Sequence, residues 1–231
     1  MIPLRDSIRS RRFPVVTTAL LAANVLVFLY ELSLEPSGLI RFFHTYGVVP
    51  RQVGGIGSVV SALLTGDWGR LLPLVTAAFI HGGWFHLISN MWYLWVFADN
   101  IEDRLGPVRF LLFFLLAAVL GNYSQVIVDP RSEIPLVGAS GAVAGVLGAY
   151  LVQFPRARVL ALVPLGFFIT VTEVPAVVFL FLWFLLQLFS GVASLGVPAM
   201  GGVAWWAHVG GFLAGALLLR LLRGREPRYY Y

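Results

Sequence analysis

Ser140 stands in the run Gly138-Ala139-Ser140-Gly141, and small residues continue through Ala142 to Tyr150. A serine hydroxyl acts as a nucleophile only with a base in hydrogen-bond reach, and flanking glycines let backbone N–H groups face a substrate oxygen. The same composition serves plain packing in a membrane, where small residues let helices approach and a serine bonds to a neighbour. The rest of the chain decides between these readings. Its other chemistry-bearing residues are His208 in Ala207-His208-Val209-Gly210-Gly211, and His81, His86 and Asn90 in His81-Gly-Gly-Trp-Phe-His86-Leu-Ile-Ser-Asn90. Together these types could perform acyl transfer. His208 has the intrinsic pKa to accept and return a proton near neutrality. The Ser140 N–H at a helix start, the Asn90 amide and the His86 ring could hold an oxyanion. No acid lies near His208 in sequence, so a hydrolase built this way works with a Ser–His dyad.

Each residue also has a structural role to fall back on. His86 and His208 could be hydrogen-bonded packing groups, Asn90 an interhelical bond, and His81 a loop-to-helix contact. A zinc site from His81, His86 and His208 is disfavoured, because the first two lie five apart, off a common helical face, and no carboxylate accompanies them. The chain has no cysteine, which excludes disulfides, thiol catalysis and cysteine-bound metal.

The elements that must position these residues are membrane helices. Hydrophobic residues make up 59% of the 231-residue chain and charged residues 12%, far from soluble averages. All 16 basic residues are arginines, clustered at Arg5, Arg9, Arg11, Arg12 and at Arg220, Arg223, Arg225, Arg228. Clusters beside apolar spans are topology signals and lipid-headgroup contacts, not a nucleic-acid surface. With about 20 apolar residues per crossing, the expected spans are 15–32, 84–97, 110–128, 137–154, 175–189 and 203–222. Short interfacial helices are expected near 39–43 and 58–64, with Trp68 and Arg70 as an interface anchor. The stretch 159–174, broken by Pro164 and Gly166, reads as a membrane-dipping hairpin, and 190–202 as a glycine-rich uncharged loop.

The expected architecture is therefore an all-α membrane protein, a six-transmembrane-helix bundle over residues 15–222 with tails at 1–14 and 223–231. Its arginines divide twelve against four between the two sides, which places both termini in the cytoplasm. Ser140, His208, His86 and Asn90 then all lie near the outer ends of their spans. Sixteen positions separate Ser140 from Arg156. At about 1.5 Å per residue the serine lies roughly 6 Å below the outer boundary, in a cavity that water must reach. Gly141, Gly145, Gly148, Gly211 and Gly215 are the close-packing positions that would let spans four and six touch.

At these residues the sequence resembles the bacterial rhomboid family of intramembrane serine proteases. The matching elements, in order, are His81, His86-x-x-x-Asn90, Glu102-x-x-x-Gly106, Gly138-Ala139-Ser140-Gly141 and Ala207-His208-x-x-Gly211-x-x-x-Gly215. The resemblance implies a six-helix bundle in the bacterial inner membrane. Ser140 is then the nucleophile, His208 the base, and His86, Asn90 and the Ser140 N–H the oxyanion site, with Glu102 structural. It also implies cleavage of single-span membrane proteins near their outer end, without metal or cofactor, with span five and the 190–202 loop as the moving gate. Two positions depart from the family: Gly69 separates Trp68 from Arg70, and Ala144 stands where some members stack a tyrosine on the histidine. The imidazole must be held another way. Two other classes remain to be weighed. A catalytically silent escort for membrane clients typically lacks the serine or the histidine. A transporter would need intramembrane acids, and Glu31 and Glu173 lie only near span ends.

Overall fold

The computed structural model describes residues 1–165, 168–195 and 202–223. In chain order these form β1 (Ile2–Asp6), α1 (Val15–Leu32), α2 (Pro36–Tyr46), α3 (Pro50–Val53), α4 (Ile56–Thr65), α5 (Trp68–Leu71), α6 (Pro73–Thr76) and a 3-10 turn (Ala77–Phe79). There follow α7 (Trp84–Leu105), α8 (Pro107–Val128), α9 (Ser140–Gln153), β2 (Arg158–Leu165), β3 (Phe168–Pro175), α10 (Ala176–Ser194) and α11 (Trp205–Leu222). The chain is a mostly helical, multi-pass membrane protein. Among the described residues four helices, α1, α8, α10 and α11, are long and apolar enough to cross a bilayer. A fifth crossing is available if Trp68–Phe79 and Trp84–Leu105, bent by 81° at their junction, are taken as one broken span.

The core is built around α9. Its ten residues Gly141–Tyr150 are buried without interruption, as befits a helix apolar on every face. Three neighbours, α7, α8 and α11, enclose it. At 14 residues it is about 21 Å long, shorter than the roughly 30 Å hydrocarbon layer. The α9–α11 contact is backbone against backbone. A Cβ on Gly215 would stand 1.9 Å from the Gly145 carbonyl oxygen, and one on Gly211 2.0 Å from that of Gly141. Only hydrogen fits there, and that is what glycine supplies.

The structure corrects several expectations. The fold is not purely helical, because β1, β2 and β3 form a three-stranded antiparallel sheet. The 159–174 hairpin is a β-hairpin, with Arg158 opposite Pro175 and Leu165 opposite Phe168. Its β-branched runs favour that state. An open sheet leaves edge N–H and C=O groups that hydrocarbon cannot satisfy, which favours a place at the membrane surface. Pro164 is tolerated in the middle strand because β1 reaches only to Leu162, leaving that side of β2 without a ladder bond to lose.

Residues 1–14 are likewise not a free tail. β1 pairs with β2 from Ile2–Leu162 to Asp6–Val159. Asp6 accepts hydrogen bonds from the Tyr150 hydroxyl of α9 and, at 2.8 Å, from the Asn100 amide of α7. Burial lifts the Asp6 carboxyl to about 6. Helix boundaries shift as well: α7 continues two turns past Phe97, α8 starts at Pro107, α9 at Ser140, and α10 runs on to Ser194. The remainder of the glycine-rich loop, 196–201, and the tail 224–231 with Arg225 and Arg228 lie outside the described residues.

Candidate active site

The segment entering α9 is fixed from two directions. Val48 and Leu136 exchange backbone hydrogen bonds of 2.9 and 2.8 Å, tying it to the long connection after α1. The Gly138 N–H then donates to the Ala77 carbonyl at 2.8 Å. Gly138 holds φ at +125°, open in practice only to glycine, and a Cβ there would stand 2.6 Å from His86 Nε2. This position therefore turns the chain into the helix and leaves room for the imidazole. α9 begins at Ser140, and its first backbone bond runs from the Val143 N–H to the Ala139 carbonyl. The N–H groups of the first turn before Val143 have no helical acceptor. Ser140 itself is partly exposed.

Small residues carry α8, α9 and α11 together just below the serine. A Cβ on Gly121 of α8 would stand 2.9 Å from the Ala207 carbonyl oxygen and 3.1 Å from Gly141 Cα. The first turn of α9 thus meets the residue preceding His208. Ser140 and His208 occupy facing first turns, although no hydrogen bond joins them among the described residues.

His208 is buried. Its ring lies 6.1 Å, centroid to centroid, from Trp183 on one side and Trp205 on another. Its Nδ1 is 2.8 Å from Gln187 Oε1 on α10. Gln187 was not among the sequence candidates. It sits inside a 19-residue apolar helix, and a lone polar residue in such a helix was the available signal.

His86 and Asn90 share one face of α7. His86 Nδ1 accepts a long 3.4 Å bond from the Gly82 N–H, and Asn90 Nδ2 donates to the His86 carbonyl at 2.8 Å. One of the two Asn90 amide protons is therefore committed within its own helix. The rings of His81 and His86 meet edge to face at 5.1 Å. His81 is fully buried, with no partner for either ring nitrogen among the described residues. Its backbone N–H donates to both carboxylate oxygens of Glu31, at 3.1 and 3.3 Å, so a residue read only as lying near a span end joins α1 to the site. Among the described residues no three His, Cys, Asp or Glu side chains converge in a metal-holding arrangement.

The remaining sequence candidates lie away from the serine. Glu102 of α7 accepts from the Val16 N–H, the Thr17 N–H and the Thr17 hydroxyl at 2.9, 2.7 and 2.7 Å. It closes the N-terminus of α1, where an anion is favoured. Gly106, with φ +78°, makes the turn between α7 and α8. Arg70 pairs with Asp67 at 3.2 Å and reaches the Val53 carbonyl at 3.4 Å, bracing the outer loop.

Residues 68–225 match the Rhomboid domain, and the chain belongs to the rhomboid family. It is 32% identical over 159 residues to the rhomboid protease GluP of Bacillus subtilis, covering 68% of this chain and 27% of that protein. YdcA of the same organism is 37% identical over 86 residues, 37% of this chain and 41% of its own length. The human mitochondrial presenilin-associated rhomboid-like protein is 31% identical over 144 residues, 61% of this chain and 33% of that one. Each match thus spans less than half the length of the relative.

Proposed function

We propose that this rhomboid-family protein is an intramembrane serine endopeptidase that cleaves single-span membrane proteins near their outer end. Ser140 Oγ attacks the scissile carbonyl while His208 takes its proton. The imidazolium then returns that proton to the leaving amine, giving an acyl-enzyme. Water, deprotonated by the same imidazole, attacks the ester, and collapse of the intermediate restores the serine. The free N–H groups at the start of α9 and the His86 ring against Gly138 receive the oxyanion. Asn90 joins them with its uncommitted proton. The observation that carries the reading is the contact of Gly121, Gly141 and Ala207, which brings the first turns of α9 and α11 together and so supports Ser140 as nucleophile with His208 as base.

The arrangement we propose for the chain is six spans, with both termini in the cytoplasm. In it α9 and α7 count as crossings, and Arg5, Arg104, Arg109, Arg156 and Arg158 lie on the cytoplasmic side with the sheet. The acting partners are lipids and single-span substrates, and the host membrane is the bacterial inner membrane.

The competing reading is a silent binding or escort module. It draws support from the lack of a Ser140–His208 hydrogen bond among the described residues. Fluorophosphonate labelling in detergent and in liposomes separates the two. Label that disappears in Ser140→Ala and in His208→Ala supports the protease. A folded wild type that neither labels nor cleaves a single-span model substrate overturns it.

A further inference from the structure

We infer that Gln187 is a positioning residue for His208, and that through it α10 aligns the base only while α10 lies against α11. The inference rests on the serine-protease reading and adds a third group to its dyad.

The tautomer argument comes first. For His208 to take a proton from Ser140, the nitrogen facing the serine must be bare, so the proton must sit on the other nitrogen. Gln187 presents its carbonyl oxygen at 2.8 Å from Nδ1. A carbonyl oxygen only accepts, so this contact requires Nδ1–H and leaves Nε2 free as the base. The reverse amide orientation would donate to Nδ1 and put the proton on Nε2, disabling the base. Trp183 and Trp205 restrict the ring but supply no acceptor to it. Gln187 is the one hydrogen-bond partner of the ring among the described residues. It does what the tyrosine position, here Ala144, leaves undone.

The placement of Gln187 carries the second half. α10 is largely exposed to the surrounding medium: Phe181, Leu186 and Phe189 are 51%, 61% and 66% exposed. Its buried stripe runs Ala176, Leu180, Gln187, Gly191. Gly191, one turn beyond Gln187, receives the start of α11: a Cβ there would stand 3.2 Å from the Trp206 indole and 3.4 Å from the Trp205 Cβ. When α10 moves off α11, the Gln187 amide leaves its partner for hydrocarbon, which is costly, and His208 loses its acceptor. The base is thus aligned in the closed position of α10 and released in the open one. If α10 moves aside to admit substrate, peptide-bond attack waits until it has returned.

The experiment measures kcat and KM against pH for a single-span model substrate in liposomes, with Gln187→Leu, Gln187→Glu and Gly191→Leu beside wild type. The tautomer is read independently from 15N spectra of histidine-labelled protein in micelles, the His208 signals assigned with His208→Asn. Expected are a fall in kcat of about 10- to 100-fold for Gln187→Leu with KM within about twofold. Gln187→Glu keeps substantial turnover and moves the acid limb of the kcat profile to higher pH, because a carboxylate stabilises the imidazolium. Gly191→Leu, which wedges α10 outward, lowers kcat, whereas a helix that merely gates entry would turn over faster when wedged. Wild-type His208 shows Nδ1–H, and Gln187→Leu does not hold it. A Gln187→Leu enzyme with wild-type kcat and pH profile, or Nε2–H in the wild type, overturns the inference. A wild type without Ser140-dependent proteolysis sinks the protease reading, and the tautomer then decides the Gln187 contact alone.

Discussion

The two ends of α9 handle polar groups differently, although one buried oxygen, Asn100 Oδ1, is unpaired at the better-satisfied end among the described residues. Toward its C-terminal end, Tyr150 donates to Asp6, which also accepts from Asn100, while Glu102 of α7 closes the start of α1 with three accepted bonds. At its N-terminal end, the first-turn N–H groups have no helical acceptor, and among the described residues His81 has two unpartnered ring nitrogens and the His86 ring a single 3.4 Å bond. A buried polar group left unpaired costs free energy that a paired one does not. One end is therefore arranged for stability. The other leaves polar groups unpaired, and under the proposed protease reading these are the donors that would meet the charge developing during reaction.

This contrast can be broken or sharpened by substitution. The largest effect is expected for Ser140→Ala or His208→Ala. Proteolysis of a model span should fall about 10³-fold or more, while thermal unfolding followed by circular dichroism stays within a few degrees of wild type. A matching loss of stability would mean that the outer residues are structural. Next, Gly215→Leu should damage both ends, because its side chain would occupy the space of the Gly145 backbone. Loss of about 3 kcal/mol or more, seen as poor recovery of folded protein, is expected. Normal folding would show that α9 and α11 can separate freely.

Glu102→Ala should cost about 3 kcal/mol, since three donors at the start of α1 lose their acceptor. Activity per folded molecule should remain. A selective loss of kcat would place Glu102 in the chemistry and erase the division between the ends.

The smallest effect is a pH dependence at the sheet. Burial pushes the Asp6 carboxyl up to about 6 in the fold from an ordinary value of 3.8, so the folded state binds its proton more tightly. The attachment of β1 is then firmest below about pH 4, weakens as pH rises from about 4 to about 6, and is level above that. Hydrogen exchange of residues 2–6 should be faster at pH 7.5 than at pH 4.5, with the difference, corrected for intrinsic exchange, removed in Asp6→Asn. An equal profile in both proteins would sink it.

The sequence-legible parts were those with local signals. α1 runs from Val15 to Leu32, as its apolar stretch predicts, and α2 and α4 cover the expected interfacial stretches. Ser140, His86 and His208 stand in the first turns of α9, α7 and α11, helices whose apolar runs the sequence marks. The sheet was not legible, because Ile-Pro-Leu-Arg-Asp carries a proline and two charges and its partner strand lies more than 150 positions away. Without that partner, Val159–Val174 looks like a broken apolar hairpin. Gln187 and Glu31 were overlooked for a related reason. Gln187 lies 21 positions from His208 and Glu31 50 from His81, and each finds its histidine only once helices pack.

The pairing of Asp6 with Tyr150 also sets a timetable for biosynthesis. The two residues are 144 positions apart, so at about 5–20 residues per second Asp6 leaves the ribosome roughly 7–30 s before its hydroxyl partner is made. During that interval neither β2 nor the end of α9 exists to receive the first strand. Closure of the sheet therefore records that the central helix has been made and seated.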